Sequence, residues 1–233
     1  MSRIRHQYLQ LLTDCGGYYE CPKDEDGNRL GPLVGYAGRD RQGRQFVGDV
    51  YYNFARIEEH PGSLKQYAYQ AANRLRIYDL LCNYVVGMPM GGLAFGLTLA
   101  SELRARYVFP DFKETEAEGR KTKEFFWGRH EIAPNSEVII AEDVCNNFSS
   151  TQQVIDLITS SGGEVLAIAC EMNRSKSEFY QKIPVFSALH LPTIQYHQDD
   201  PEVAQNIARG NIIWKPKDEW NKLMLAIQHQ VSD

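Results

Sequence analysis

Much of what this sequence does comes into view through what it lacks. It has no long apolar run: its hydrophobic stretches are broken by Gly or Pro far short of the roughly 20 residues that span a bilayer, so no membrane segment is expected. It has no Cys-x-x-Cys pair. The five cysteines, Cys15, Cys21, Cys82, Cys145 and Cys170, are scattered and odd in number, a pattern that fits neither a disulfide framework nor a zinc ribbon. No apolar leader opens the chain, so a reduced, cytoplasmic protein is the expectation. Positive charge is not in excess: 25 Lys and Arg stand against 30 Asp and Glu, a formal net charge of -5. No basic face therefore marks a nucleic-acid partner, and a phosphate ligand would need only a local positive site. Internal repeats and low-complexity segments are missing too. What remains, at 233 residues of which 43% are hydrophobic, fits a single α/β domain over residues 1–233, with a core and a small cap.

The most informative stretch runs from Val138 to Thr151. Val138, Ile139 and Ile140 form a β-branched run typical of a buried parallel strand, and from Thr151 the apolar residues Val154, Ile155, Leu157 and Ile158 follow helical spacing. Between them lie two adjacent acids, Glu142 and Asp143, and a polar loop. A loop at the carboxyl end of a strand that enters a helix N-terminus presents backbone N–H groups and a positive dipole end to a phosphate. The acids just before it would reach hydroxyls, or a metal, on the same ligand. A phosphorylated sugar satisfies both halves. Read structurally instead, the stretch is a buried strand followed by a helix capped by Ser149 or Ser150.

A second strand, glycine-rich turn and helix lies about 50 residues upstream. Tyr84-Val85-Val86 reads as the strand, Gly87 to Gly92 as the turn, and Leu93 to Leu103 as an apolar helix. Glycine lets backbone N–H groups approach phosphate oxygens closely. Around these units, residues 2 to about 14 and Leu64 to Leu81 read as amphipathic helices, and Arg106 to Phe109 as a short strand ended by Pro110. Glu164 to Met172 and Ile183 to Leu189 read as strands, Asp200-Pro201 opens a helix that Gly210 stops, and Trp220, Leu223, Met224 and Ile227 line a last one. Residues 22–45 alternate turn residues with short strands, and Phe46 to Arg56 is an aromatic strand carrying Tyr51 and Tyr52.

These motifs together resemble the type I phosphoribosyltransferases, and the Glu-Asp-Val form of the acids resembles the orotate phosphoribosyltransferases within them. The likeness runs from about residue 36 to 190. It implies a doubly wound, mostly parallel α/β sheet with a small hood built from about residues 15–60 and the C-terminal segment. It implies that Asp143 and Glu142 hold the ribose hydroxyls of phosphoribosyl pyrophosphate (PRPP). Asn146, Asn147, Phe148, Ser149, Ser150 and Thr151 would wrap the 5′-phosphate, although the family's usual glycines are replaced here. The turn Met88, Pro89, Met90, Gly91 and Gly92 would meet the pyrophosphate. Tyr51, Tyr52 and Arg174 would face the base, with at most one of the two tyrosines on any one ligand because adjacent strand residues point to opposite sides. The upstream Lys that the family places near the phosphates has no counterpart; Arg41 and Arg44 stand nearby.

The charged segment 111–131 corresponds to a mobile loop that in the family reaches a neighbouring subunit's pyrophosphate, which implies a homodimer. Lys113 is the matching catalytic position. The loop's other basic positions fall on Phe112, Glu116 and Glu118, with Arg120, Lys121 and Lys123 as candidates to substitute, against the plainer reading of a solvated charge run. The implied reaction is Mg2+-dependent transfer of phosphoribosyl from PRPP to a nucleobase, with orotate as the expected base and the metal held mainly by substrate. A regulatory PRPP-binding protein and a phosphoribosyltransferase for another base are the alternatives.

Overall fold

The computed structural model describes residues 3–117 and 120–228. In chain order the elements are α1 (Arg3–Asp14), β1 (Tyr18–Glu20), β2 (Leu33–Arg39), β3 (Gln45–Gly48), β4 (Val50–Tyr52), α2 (Ala55–Glu58) and α3 (Pro61–Ile77). There follow β5 (Tyr84–Gly87), α4 (Gly92–Leu103), β6 (Arg106–Val108), β7 (Asp111–Ala117), β8 (Arg120–Phe126), β9 (Glu137–Cys145) and α5 (Ser149–Ser160). The chain ends with β10 (Glu164–Asn173), β11 (Phe179–Tyr180), β12 (Ile183–His190), α6 (Pro201–Ala208), β13 (Ile212–Ile213) and α7 (Trp220–Gln228). These form two compact units, one of residues 1–8 and 57–192, the other of residues 9–56 and 193–233.

The first unit is built on a six-stranded sheet of order β11-β12-β10-β9-β5-β6, in which every pairing is parallel except that of the short edge strand β11. Parallel strands are covered on both faces and read as near-continuous apolar runs. That is why Val85, Val86, Val138, Ile139, Ile140 and Ile168 are all fully buried. Side chains alternate between the faces. Val86, Val138, Ile140, Ile168 and Cys170 join Val154 and Ile158 of α5 in one cluster. On the other face α4 comes close to the sheet at Gly96, where a Cβ would meet the Gly87 Cα at 3.0 Å and the Ala141 Cβ at 3.3 Å. The doubly wound, mostly parallel arrangement expected from the sequence is the one found.

Segment 111–131 differs from the loop its charge suggested. It contains the antiparallel hairpin β7–β8, in register from Asp111↔Phe126 through Phe112↔Phe125, Lys113↔Glu124 and Glu114↔Lys123. Phe125 is buried in the main cluster and Phe112 packs against it, so one face of the hairpin is anchored to the core. Trp127 adds a hydrogen bond from its Nε1 to Ser161 Oγ at 2.8 Å.

The second unit contains a three-stranded sheet β13-β2-β3 and the antiparallel pair β1–β4. Its core gathers Tyr19, Cys21, Val34, Tyr36, Ile213, Trp220 and Leu223. The Tyr36 hydroxyl donates to Val50 O at 2.7 Å, and Trp220 Nε1 donates to Gly16 O at 3.1 Å, tying the last helix to the first turn of this unit. The strand β13, two residues long, pairs parallel with β2 at Ile212↔Leu33 and Ile213↔Val34.

Candidate active site

The acids sit inside β9, not in the loop after it. The ladder to β10 continues through Glu142↔Cys170, Val144↔Met172 and Cys145↔Asn173. A paired strand must send Glu142 and Asp143 to opposite faces. Asp143 goes to the α4 side, where a Cβ on Gly91 would run into its carboxylate. Glu142 goes to the α5 side and is half-buried, with its Oε2 closed off from solvent and without a hydrogen-bond partner. Its pKa is pushed well up, first by burial and then by the charge of Asp143, with Lys123 offsetting part of the shift.

The turn 88–92 folds back onto the same strand. Met88 N donates to Ala141 O at 2.9 Å and Gly92 N to Met88 O at 2.9 Å. Met88 is buried at the base of the turn, while Met90 is exposed. Glycine is required at the end of the turn: a Cβ at Gly92 would collide with Ala141 O. Of the residues expected to hold pyrophosphate and ribose, Asp143 and Gly91 are thus in direct apposition.

The start of α5 is unusual in its capping. Phe148, not a serine, stands at the N-cap in a left-handed conformation with φ 57°, a region that bulky side chains rarely adopt. Burial explains the choice: Phe148 is 8% exposed and stacks on Tyr180 with ring centroids 4.6 Å apart. Ser149 N and Oγ both donate to Asn147 Oδ1, at 3.4 and 3.2 Å. The N–H groups of Ser150 and Thr151 fall in the first turn, where a helix supplies no acceptor of its own. Asn146 and Thr151 are at least half-buried and Asn147, Ser149 and Ser150 are exposed, so the cradle faces solvent.

Two further charged residues frame this end of the sheet. Arg174, 7% exposed, follows β10, and its backbone N–H donates to Cys145 O at 3.0 Å, which holds it next to the end of β9. Glu171 is fully buried, with both carboxylate oxygens lacking a hydrogen-bond partner. Burial, then the charges of Asp143 and Glu58, push its pKa well up. Sequence reading missed Glu171 by taking 164–172 as uniformly apolar; a lone acid in a buried strand was the available signal.

Lys113 and Lys123 separate cleanly. Lys113 is exposed, with its Nζ 5.0 Å from the centroid of the Phe126 ring. Lys123 is half-buried, with its Nζ 4.2 Å from the centroid of Phe112. Glu118 lies outside the described residues, as do the side chains of Glu116, Arg120 and Lys121. Tyr51 and Tyr52 belong to the second unit. Tyr51 is half-buried with its ring 6.0 Å from that of Trp220, whereas Tyr52 is 9% exposed with its ring 5.6 Å from that of Tyr18. The pair point to opposite sides of β4, as adjacent strand residues do.

No protein-family model matches the chain. Curated relatives do. The chain is 27% identical over 166 residues to the orotate phosphoribosyltransferase of Carboxydothermus hydrogenoformans, covering 71% of this chain and 82% of that protein. It is 25% identical over 150 residues to the enzyme of the same name from Heliobacterium modesticaldum, covering 64% and 75%. Among solved structures, orotate phosphoribosyltransferase from Aeropyrum pernix superposes with a TM-score of 0.52 at 17% identity, over 78% of this chain and 93% of that one. Adenine phosphoribosyltransferase from Rhodothermus marinus gives 0.52 at 21%, over 80% and 99%. By fold and by sequence likeness the chain is similar to the type I phosphoribosyltransferases. Leishmania donovani UMP synthase also superposes, with a TM-score of 0.55 at 15% identity over 95% of this chain, which spans only 42% of that longer protein. Among the described residues no cluster of three or more His, Cys, Asp or Glu could hold a metal, and no helix is long and apolar enough to cross a membrane.

Proposed function

We propose that this phosphoribosyltransferase moves the phosphoribosyl group of PRPP onto orotate, giving orotidine 5′-phosphate and pyrophosphate. The observation that carries the reading is the apposition of the Asp143 carboxylate to Gly91, which joins a hydroxyl-binding acid to a phosphate-binding turn. In the reaction the bond from C1 of the ribose to the pyrophosphate oxygen breaks, and a ring nitrogen of the base bonds to C1. The transition state carries positive charge on the sugar and growing negative charge on the leaving group. Catalysis therefore rests on positioning and on electrostatic stabilisation.

In this reading Asp143 orients the ribose hydroxyls. Backbone N–H groups of the 88–92 turn receive the pyrophosphate, and the first turn of α5 with Asn146–Thr151 receives the 5′-phosphate. Arg174 pairs with the anionic base. Lys113, exposed on its hairpin, would serve a neighbouring copy, and a homodimer belongs to the proposal. The carboxylate oxygen at Asp143 fits a site that works with Mg2+, a hard cation; the ion would sit mainly on substrate oxygens and neutralise charge on the leaving group.

The relatives named orotate phosphoribosyltransferase support orotate as the base. The test is incubation with PRPP, Mg2+ and a panel of bases while pyrophosphate release is followed. Turnover of orotate is expected; turnover of a purine instead, or PRPP binding without turnover of any base, would replace this reading.

A further inference from the structure

At the β11–β12 end of the main sheet lies a cavity of about 340 Å3, lined by none of the residues assigned to the PRPP site. Three aromatic side chains face it: Tyr78 just past α3, Phe179 on β11 and Phe186 on β12. Its polar part is an ion pair, in which Arg74 Nη2 donates to Glu178 Oε1 at 3.1 Å. Small-ligand sites have volumes of this order and combine apolar walls with a few fixed polar groups.

The exposed rings are held in place. Phe179 is 58% exposed and Tyr78 66%, yet Phe179 N donates to Ser177 Oγ at 3.0 Å and its strand pairs with β12 at Phe179↔Pro184. The next residue, Tyr180, donates to Gln152 Oε1 at 2.7 Å and stacks on Phe148. Tyr78 lies against Phe186 with ring centroids 5.3 Å apart. A flat ligand can stack on such rings with little further loss of entropy. The ion pair sets the chemistry of its edge. Arg74 is anchored by Nη1, which donates to Ser187 O at 2.8 Å, and each Nη carries a second N–H. Glu178 Oε1 also lies 3.7 Å from His190 Nδ1, while Oε2 accepts no hydrogen bond from the described residues. Charge is balanced within the pair, so an anion gains little here. A donor beside an acceptor matches an uncharged ring whose edge carries an acceptor beside a donor, as the edges of nucleobases do.

We propose that this cavity is a second ligand site, separate from the PRPP site, for an uncharged nucleobase, free or carried on a nucleoside. The ring lies on Phe179 and Tyr78, with its edge toward Arg74 and Glu178.

The test is calorimetric titration of the full chain, without PRPP, with adenosine, cytidine and their free bases. Benzyl alcohol serves as an aromatic probe without the edge, and benzoate as an anionic one. At least one of the four ligands is expected to bind with a Kd of about 1 mM or below, and about tenfold or more tighter than either control. Comparing each nucleoside with its base shows which form the cavity takes. Phe179→Ala, at an exposed position, should keep the thermal midpoint and weaken this binding about tenfold, as loss of a base-stacking ring does. Glu178→Met removes the acceptor and leaves the Arg74 charge unbalanced, so nucleobase binding should weaken while benzoate binding strengthens. No binding of any of the four to the wild type overturns the proposal, as does benzyl alcohol binding equally well. Binding unchanged in Phe179→Ala and Glu178→Met places the ligand elsewhere, the catalytic site included, and overturns it too. Sedimentation of the wild type and Phe179→Ala completes the test: self-association lost in the variant would show a second copy covering this face in place of a ligand.

Discussion

The carboxylate of Asp143 fills the space that any side chain at position 91 would need. The strand-end acid and the glycine turn are therefore a single built feature, and the absence of a Cβ at 91 is a condition for the acid's position. Gly91→Ala is expected to push the carboxylate aside, lower PRPP affinity and cost about 1–3 kcal/mol of stability, as overpacking does. The collision can be isolated by a double-mutant cycle in chemical denaturation. In an Asp143→Ala background the same change at 91 should cost much less. Equal costs in both backgrounds would mean that the turn itself, and not the acid, needs glycine.

Removing the charge without changing the shape tests what Asp143 is for. Asp143→Asn keeps the volume of the side chain and its place beside Gly91. PRPP binding, measured calorimetrically, should weaken by about ten- to a hundredfold, the range for a lost charge-assisted hydrogen bond. The thermal midpoint should stay nearly unchanged. A large fall in that midpoint would make the acid structural.

Glu171 predicts a pH dependence of stability. Its pKa in the folded protein is raised well above the ordinary 4.5 by burial and by the neighbouring acids Asp143 and Glu58. The native state then holds this proton more tightly than the unfolded chain does. The stabilising contribution is complete below about pH 4.5 and is lost as pH rises toward the folded value, at up to about 1.4 kcal/mol per pH unit within the window. Glu171→Gln removes the titration. The variant's gain in thermal midpoint over wild type should therefore be larger at pH 8 than at pH 5. A difference independent of pH would show that Glu171 keeps an ordinary pKa.

Much of this arrangement was readable in the residues, and the parts that were not have a common physical cause. Helices α3 and α4 follow from the spacing of Leu64, Tyr67, Ala68, Ala71 and Leu75 and from the apolar run after Gly92, because a buried helical stripe repeats every 3.6 residues. Polarity ends the apolar run at Ala141, so how far the strand continues past the acids was not legible. In the fold, pairing with β10 carries the strand on to Cys145 and splits the acids between two faces. The hairpin was hidden by its charge. Its strands are held by the Phe112↔Phe125 pair and by opposite charges facing each other at Lys113↔Glu124 and Glu114↔Lys123. At Phe148, stacking on Tyr180 outweighs the capping preference of the serines beside it. In each case tertiary contact overrode a local signal.

Arg174 tests the choice of base most sharply. The residue sits just past the end of β10, is 7% exposed, and has its backbone fixed to Cys145 O beside the acids. A planar guanidinium in a largely dry position is suited to a flat anionic ring and would lose little entropy in pairing with it. Arg174→Ala is expected to raise the Michaelis constant for orotate by about one to two orders of magnitude, since a charged contact is worth about 1.5–3 kcal/mol and each decade is about 1.4 kcal/mol. PRPP affinity should barely move, because the phosphate and hydroxyl contacts assigned to the 88–92 turn, Asp143 and α5 are left in place. Arg174→Lys keeps the charge but loses the planar fork, and should fall between wild type and alanine. It also guards against the case in which the alanine variant fails to fold. If both variants lose PRPP affinity and orotate affinity in equal measure, Arg174 supports the strand ends as a whole and the base is recognised elsewhere. If orotate kinetics are unchanged in both, the guanidinium does not touch the base.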